Sequence, residues 1–136
     1  MKVLYDYQVF QWQAYGGISR YFYELMNYYN ENKSLEFDLA LKYSPSFYLK
    51  NSTFAKDKAQ TLDGPTINDF MAGRNFKGKG RLFNIYNKVT NKKNVDTFIA
   101  NRNYTIEMLK KGDFDIFHPT NYDPYYLEYI KDKPFV

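Results

Sequence analysis

Three groups of residues in this chain have the types and spacing to do chemistry. The first is Gly16-Gly17, followed by Arg20. Glycines let a ligand approach the backbone, and unpaired N–H groups opening a following helix suit a phosphate or another anion. Arg20, in the expected first helical turn, offers that anion a charge-assisted contact. Two glycines in a row serve equally to turn the chain. The second group is His118, the single histidine, with Thr120, Asn121 and Tyr122 after it. One imidazole can act as a general base or hold a sugar hydroxyl, but it cannot build a catalytic metal site alone. A structural histidine at a strand end is the plain alternative, and Asp115 and Asp123 nearby read as a strand start and a helix cap. The third group is a basic run, Arg74, Lys77, Lys79, Arg81, Lys88, Lys92 and Lys93, in a stretch from Phe70 to Val95 without Asp or Glu. Interleaved with Phe76, Leu82, Phe83, Ile85 and Tyr86, it has the character of a surface resting on anionic lipid headgroups. Nucleic acid is the other anionic partner, and a solvated face the plain alternative. Phe76-Lys77-Gly78-Lys79-Gly80 lacks the spacing of a phosphate loop.

These groups need a scaffold that brings them to one place. Val3 to Phe10, rich in β-branched and aromatic residues, predicts a strand that runs into the glycine turn. Ile18, Tyr21, Phe22 and Leu25 fall at i, i+3, i+4 and i+7, predicting a helix from about Ile18 to Asn30 with these residues inward. A second strand is predicted over 36–42, where Phe37, Leu39 and Leu41 alternate with polar residues. Strand, helix, strand at this spacing is a βαβ unit, with parallel strands and a right-handed crossover. From Tyr43 to about Gly80 periodicity is lost, which predicts a functional insertion with short helical turns inside it. Helices return over 81–89, with Leu82, Ile85, Tyr86 and Val89 on one face, and over 103–111, starting as early as Asp96. In the second of these Ile106 and Leu109 face inward and Lys110-Lys111-Gly112 closes the helix. A third strand is predicted at 114–118, a helix capped by Asp123 and Pro124 follows, and 133–136 begins another strand. The fold class is therefore α/β, a Rossmann-like parallel sheet flanked by helices. Ligands bind such sheets in the crevice beyond the carboxyl ends of the strands. Gly16 and Gly17 are expected there, facing His118, Thr120, Asn121 and Tyr122.

The totals bound this reading. At 136 residues the chain suits one domain with a real core, and 21% aromatic residues, mostly Tyr and Phe, supply it. A net charge of +4 fits an anionic partner without requiring one. No cysteine is present, which excludes disulfides, thiolate catalysis and Cys-based metal sites. The amino terminus turns polar by Asp6 and no apolar run is long enough to span a bilayer, so a cytoplasmic protein is expected.

Two stretches carry a family resemblance. Tyr15-Gly16-Gly17-Ile18-Ser19-Arg20-Tyr21-Phe22-Tyr23-Glu24-Leu25 resembles the glycine loop and first helix of family 4 glycosyltransferases of the GT-B fold. Phe114-Asp115-Ile116-Phe117-His118-Pro119-Thr120-Asn121-Tyr122-Asp123-Pro124-Tyr125 resembles the later strand, histidine, loop and helix of the same amino-terminal domain. Order and separation fit, and residues 43–100 fall in that domain's variable region. The resemblance implies a retaining transferase that moves a sugar from a nucleotide-sugar donor to a glycan or lipid-linked acceptor, with no metal or other cofactor. It implies that residues 1–136 are the front part of the acceptor-side domain, incomplete, without the carboxyl-terminal nucleotide-sugar domain and inactive alone. Gly16, Gly17 and Arg20 would line the cleft beside the donor phosphates. His118, with Thr120, Asn121 and Tyr122, would line its acceptor side, His118 being the candidate for a catalytic role. The following strand, whose end in the family carries a further His or Asp near the reacting sugar, is not in the chain.

Several family members dock on membranes through a basic amphipathic surface of this domain. That fits residues 74–93 and implies a peripheral position on the inner face of the cell membrane, in cell-envelope polysaccharide synthesis, with no nucleic-acid partner. The competing expectation is a non-enzymatic α/β module that binds nucleic acid or a lipid headgroup through the same basic residues.

Overall fold

The computed structural model describes residues 1–55, 60–61, 74, 76–90 and 96–136, with backbone alone at 60, 61, 84 and 87–90. The chain divides into two units, Met1–Leu62 with Thr97–Val136, and Asp63–Asp96. In chain order the first unit contains β1 (Lys2–Tyr5), α1 (Gln8–Trp12), α2 (Gly17–Asn32), β2 (Glu36–Leu39), β3 (Tyr43–Ser44), α3 (Phe47–Lys50) and β4 (Gln60–Thr61). The helix α4 (Lys79–Thr90) belongs to the second unit. The chain then returns to the first unit with α5 (Thr97–Lys111), β5 (Ile116–His118) and a 3-10 turn, Tyr125–Glu128.

β1 lies at the centre of a parallel sheet in the order β2-β1-β5. Val3, Leu4 and Tyr5 are all buried, as expected of a central strand covered on both faces. Tyr5 stands in register with Leu39 on one side and His118 on the other. Its ring meets Phe22 of α2 edge-on at 6.0 Å and Phe37 of β2 at 6.3 Å, so α2 covers this face. Leu4 points the opposite way. With Phe114 it borders a cavity of about 200 Å³ walled by Tyr104 and Met108 of α5. The result is a mixed α/β architecture with a three-stranded parallel sheet between helices. Asp115 pins the start of β5: its N–H donates to the Lys2 carbonyl at 2.8 Å and its carboxylate accepts the Lys2 N–H at 2.7 Å.

Several expectations need correcting. The first strand stops at Tyr5 rather than Phe10, because the buried polar side chains of Asp6 and Gln8 turn the chain into α1. The glycine pair therefore follows a short helix, not a strand. In α2 the buried stripe is Ser19, Phe22 and Met26, while Ile18 and Tyr21 are 52% and 59% exposed. β2 ends at Leu39, three residues early. The helix after Asp123 is one 3-10 turn that starts at Tyr125 with Pro124, not Asp123, at its N-cap; the Asp123 carboxylate still accepts the Tyr125 N–H at 3.2 Å.

Other expectations hold. The stretch after Tyr43 contains the short helix α3 and the parallel pair β3-β4. α5 begins at Thr97, buries Leu109 and ends at Gly112, whose φ of +73° is the left-handed conformation that glycine adopts at no steric cost. At the chain end Phe135 bridges Phe117 in parallel, with the Phe117 N–H donating to the Pro134 carbonyl at 3.0 Å, so a strand starts beside β5. Asn101 of α5 joins the layers. Its amide accepts the N–H groups of Lys42 and Tyr43 at 2.8 and 2.9 Å, and donates to the Tyr43 carbonyl and the Gln11 side chain. Among the described residues no helix is long and apolar enough to cross a membrane.

Candidate functional site at the carboxyl edge of the sheet

Directly beyond β1, Asp6 is fully buried. One carboxylate oxygen accepts the Thr120 N–H at 2.9 Å, the Thr120 hydroxyl at 2.6 Å and the Gln8 N–H at 3.4 Å. The other accepts the Gln8 side-chain amide at 2.7 Å and the Tyr125 hydroxyl at 3.2 Å. Burial pushes the Asp6 carboxyl above the usual carboxylate range, and the Thr120 and Gln8 donors pull part of the way back. Gln8 completes the join: its amide donates to the Asp123 carbonyl at 3.1 Å and accepts the Asp123 N–H at 3.1 Å. The Val9 N–H donates to Thr120 Oγ1 at 3.1 Å. Asp6 and Gln8 thus fasten the loop after β5 to the loop after β1, and both were missed as site residues in the sequence. The available signal was a carboxylate at the carboxyl end of an apolar strand.

The glycine turn is organised by Gln13. Its side-chain oxygen lies 3.4 Å from the Ser19 N–H of the first turn of α2. That oxygen stands against the backbone of Gly16, where a Cβ would overlap it, so a larger residue at 16 would have to displace the Gln13 side chain. Gly17 is different: nothing lies within 4 Å of where its Cβ would be. Its N–H and that of Ile18 find no acceptor among the described residues, so the first turn of α2 opens onto free space. Arg20 is 67% exposed at its side chain and lies 3.5 Å from Glu24, one turn along. Its partner in the structure is that carboxylate.

The predicted residues of the acceptor side take distinct places. His118 packs its ring on Tyr5 at 5.1 Å and edge-on to Phe22 at 5.4 Å, and its nitrogens have no hydrogen-bond partner among the described residues. Burial holds its pKa below the ordinary histidine value, opposed by the Asp6 charge, so the ring is neutral at pH 7. Thr120 is committed to Asp6 and Val9. Asn121 is half-buried and Tyr122 is 95% exposed. Pro119 to Tyr122 face Ile18, Tyr21 and Phe22 of α2 across a groove of about 550 Å³ that also touches Tyr126. No charged side chain lines it. The misjudged face of α2 is informative, since Ile18 and Tyr21 are exposed because they form this wall. His118 sits behind the groove, against α2.

Of the basic run, Arg74, Lys77 and Arg81 are exposed and Lys79 is half-buried. Leu82, Ile85 and Tyr86 of α4, expected to share one face, are 47%, 58% and 42% exposed. The Lys88 side chain and residues Lys92 and Lys93 lie outside the described residues. Among the described residues no group of three or more His, Asp or Glu is placed to hold a metal ion. No protein-family model, curated protein or solved structure matches the chain.

Proposed function

We propose that this chain is the acceptor-side, amino-terminal half of a retaining GT-B glycosyltransferase, one that moves a sugar from a nucleotide-sugar donor to a glycan or lipid-linked acceptor in cell-envelope polysaccharide synthesis. One observation carries the reading. The open first turn of α2 and the segment after β5 meet at the same edge of a parallel sheet, around a groove without charged side chains, walled by Tyr21, Phe22 and Tyr122. Aromatic faces suit the C–H face of a sugar ring, and Asn121 offers a hydroxyl both donor and acceptor. The free N–H groups of Gly17 and Ile18 suit a donor phosphate. His118 does not line this groove; its neutral ring backs the Phe22 wall, and a role on a sugar hydroxyl would need the ring to reach past that wall.

On this reading the nucleotide is held by a second, carboxyl-terminal domain, no metal takes part, and residues 1–136 alone do not turn over. Exposed Leu82 and Ile85, flanked by Arg74, Lys77, Lys79 and Arg81, suit docking on an anionic membrane surface. The experiment is Gly17→Val in the enzyme carrying both domains, followed by transfer rate and melting temperature. Position 17 has room for the side chain, so the fold should stay intact while transfer falls by about 100-fold or more, as when a preorganised anion contact is lost. Near-normal transfer would remove the glycine turn from the mechanism.

A further inference from the structure

We infer that a second anion site, for a phosphate-bearing ligand, lies at the opposite, amino-terminal edge of the sheet, in the cleft between the end of α5 and the turn at 130–133. This cleft, of about 340 Å³, is lined by Lys110, Lys111, Lys131 and Lys133, with Asp132 as its one acidic residue. Its floor is apolar, made by buried Leu109 and Ile130. Two left-handed turns bring the segments together: Gly112 at φ +73°, and Lys131 at φ +54°. For a lysine that conformation costs about 1 kcal/mol or more, and such strain concentrates at functional sites.

The cleft sets four lysines against the one carboxylate of Asp132. Among the described residues none of the four lysines pairs with a carboxylate. The acidic residues of this edge are engaged elsewhere, since Lys2 holds Asp38 at 2.9 Å, Asp113 at 3.0 Å and Glu36 at 4.0 Å. Lys133 donates to the Phe114 carbonyl at 2.7 Å, which fixes the wall of the cleft, and the Lys110 ammonium lies 5.4 Å from the centre of the Tyr129 ring. The carboxyl end of α5 accounts for Lys110 and Lys111, because cations there complement the helix dipole. It does not account for Lys131 and Lys133, which come from another segment and add charge to the same space. Ammonium groups lining a cleft with an apolar floor suit the oxygens of a phosphate, where low local polarity strengthens the attraction. The ligand chemistry is a phosphate group, carried by a soluble phosphate ester or by a lipid headgroup. The inference does not rest on the transferase reading.

The test uses the whole chain. Inorganic pyrophosphate is titrated against the 15N-labelled protein while the amide signals of Gly112 and Lys131 are followed. In parallel, binding is measured to vesicles of phosphatidic acid in phosphatidylcholine and to phosphatidylcholine alone. Both lysines to be changed are exposed, so Lys111→Glu/Lys131→Glu should fold, and Lys111→Gln/Lys131→Gln is the milder alternative. At least one probe should bind, with a dissociation constant of about 1 mM or below, and the charge reversal should weaken it about tenfold. The vesicle arm is read in a Lys77→Glu/Arg81→Glu background, so that the basic residues before and within α4 do not contribute to it. Pyrophosphate binding without vesicle binding identifies a soluble phosphate, and the reverse a lipid headgroup. If neither probe binds, or if binding is unaltered by the charge reversal, the site does not exist.

Discussion

At the carboxyl edge of the sheet a buried carboxyl group, Asp6, is held by five hydrogen bonds from neutral donors, while at the amino edge a cation, Lys2, 19% exposed, is met by three carboxylates. Lys2 opens β1 and Asp6 follows it, and both reach residues more than 110 positions away. The two solutions behave differently. Neutral donors in a dry setting fix geometry, since each bond has a direction and a lost partner leaves an unsatisfied buried group. The ion cluster faces water through Glu36 and Asp113, so its attraction is weakened by solvent and salt. The loops that form the groove hang on the first device. The second only closes the far end of the sheet.

Three changes probe that contrast. Asp6→Ala strands the Thr120 N–H, the Gln8 amide and the Tyr125 hydroxyl in the interior, and should cost about 3 kcal/mol or more in a denaturant titration. A cost below that of the Lys2 change would invert the comparison. Asp6→Asn should flatten the pH dependence of stability. Asp6 titrates above its ordinary value when folded, so its stability contribution is fully present below the unfolded pKa and is lost as pH rises through the folded one. Relative to the Asn variant, the native protein should gain up to about 1.4 kcal/mol per pH unit of acidification between those two values. Equal slopes in both proteins would mean that the five donors cancel the effect of burial. The smallest effect is Lys2→Ala, about 1 kcal/mol and reduced by added salt. Salt-independence would show that the cluster is dry.

What the sequence made legible was the periodic part of the molecule. The parallel strands around β1, the helices on either side, Gly112 and the turn at Asp123-Pro124 follow from local pattern and turn chemistry. The face of α2 did not, because its apolar and tyrosine residues extend almost all round the helix. Ile18, Tyr21, Phe22, Tyr23, Leu25, Met26, Tyr28 and Tyr29 are compatible with several stripes. Only the contacts of Ser19, Phe22 and Met26 choose one. The role of Asp6 was equally hidden, since four of its five bonds come from side chains or from a loop that no short-range pattern connects to it. Thr120 read as a site residue and turned out to brace the site. Arg20 read as an anion contact, and Glu24 one turn on was the nearer carboxylate.

The long reach of the Asp6 bonds has a consequence for how the chain is made. Thr120 lies 114 residues after Asp6. At roughly 5–20 residues per second, a ribosome needs on the order of ten seconds to synthesise that interval. Throughout it β1 can pair with β2 and pack under α2, while Asp6 stays hydrated because its donors do not yet exist. β1, made well before β5, is therefore completed only after it. The edge that carries the groove assembles only when the segment from Phe117 to Tyr125 arrives, and until then the apolar residues beside Asp6 are open to chaperones and to misassembly.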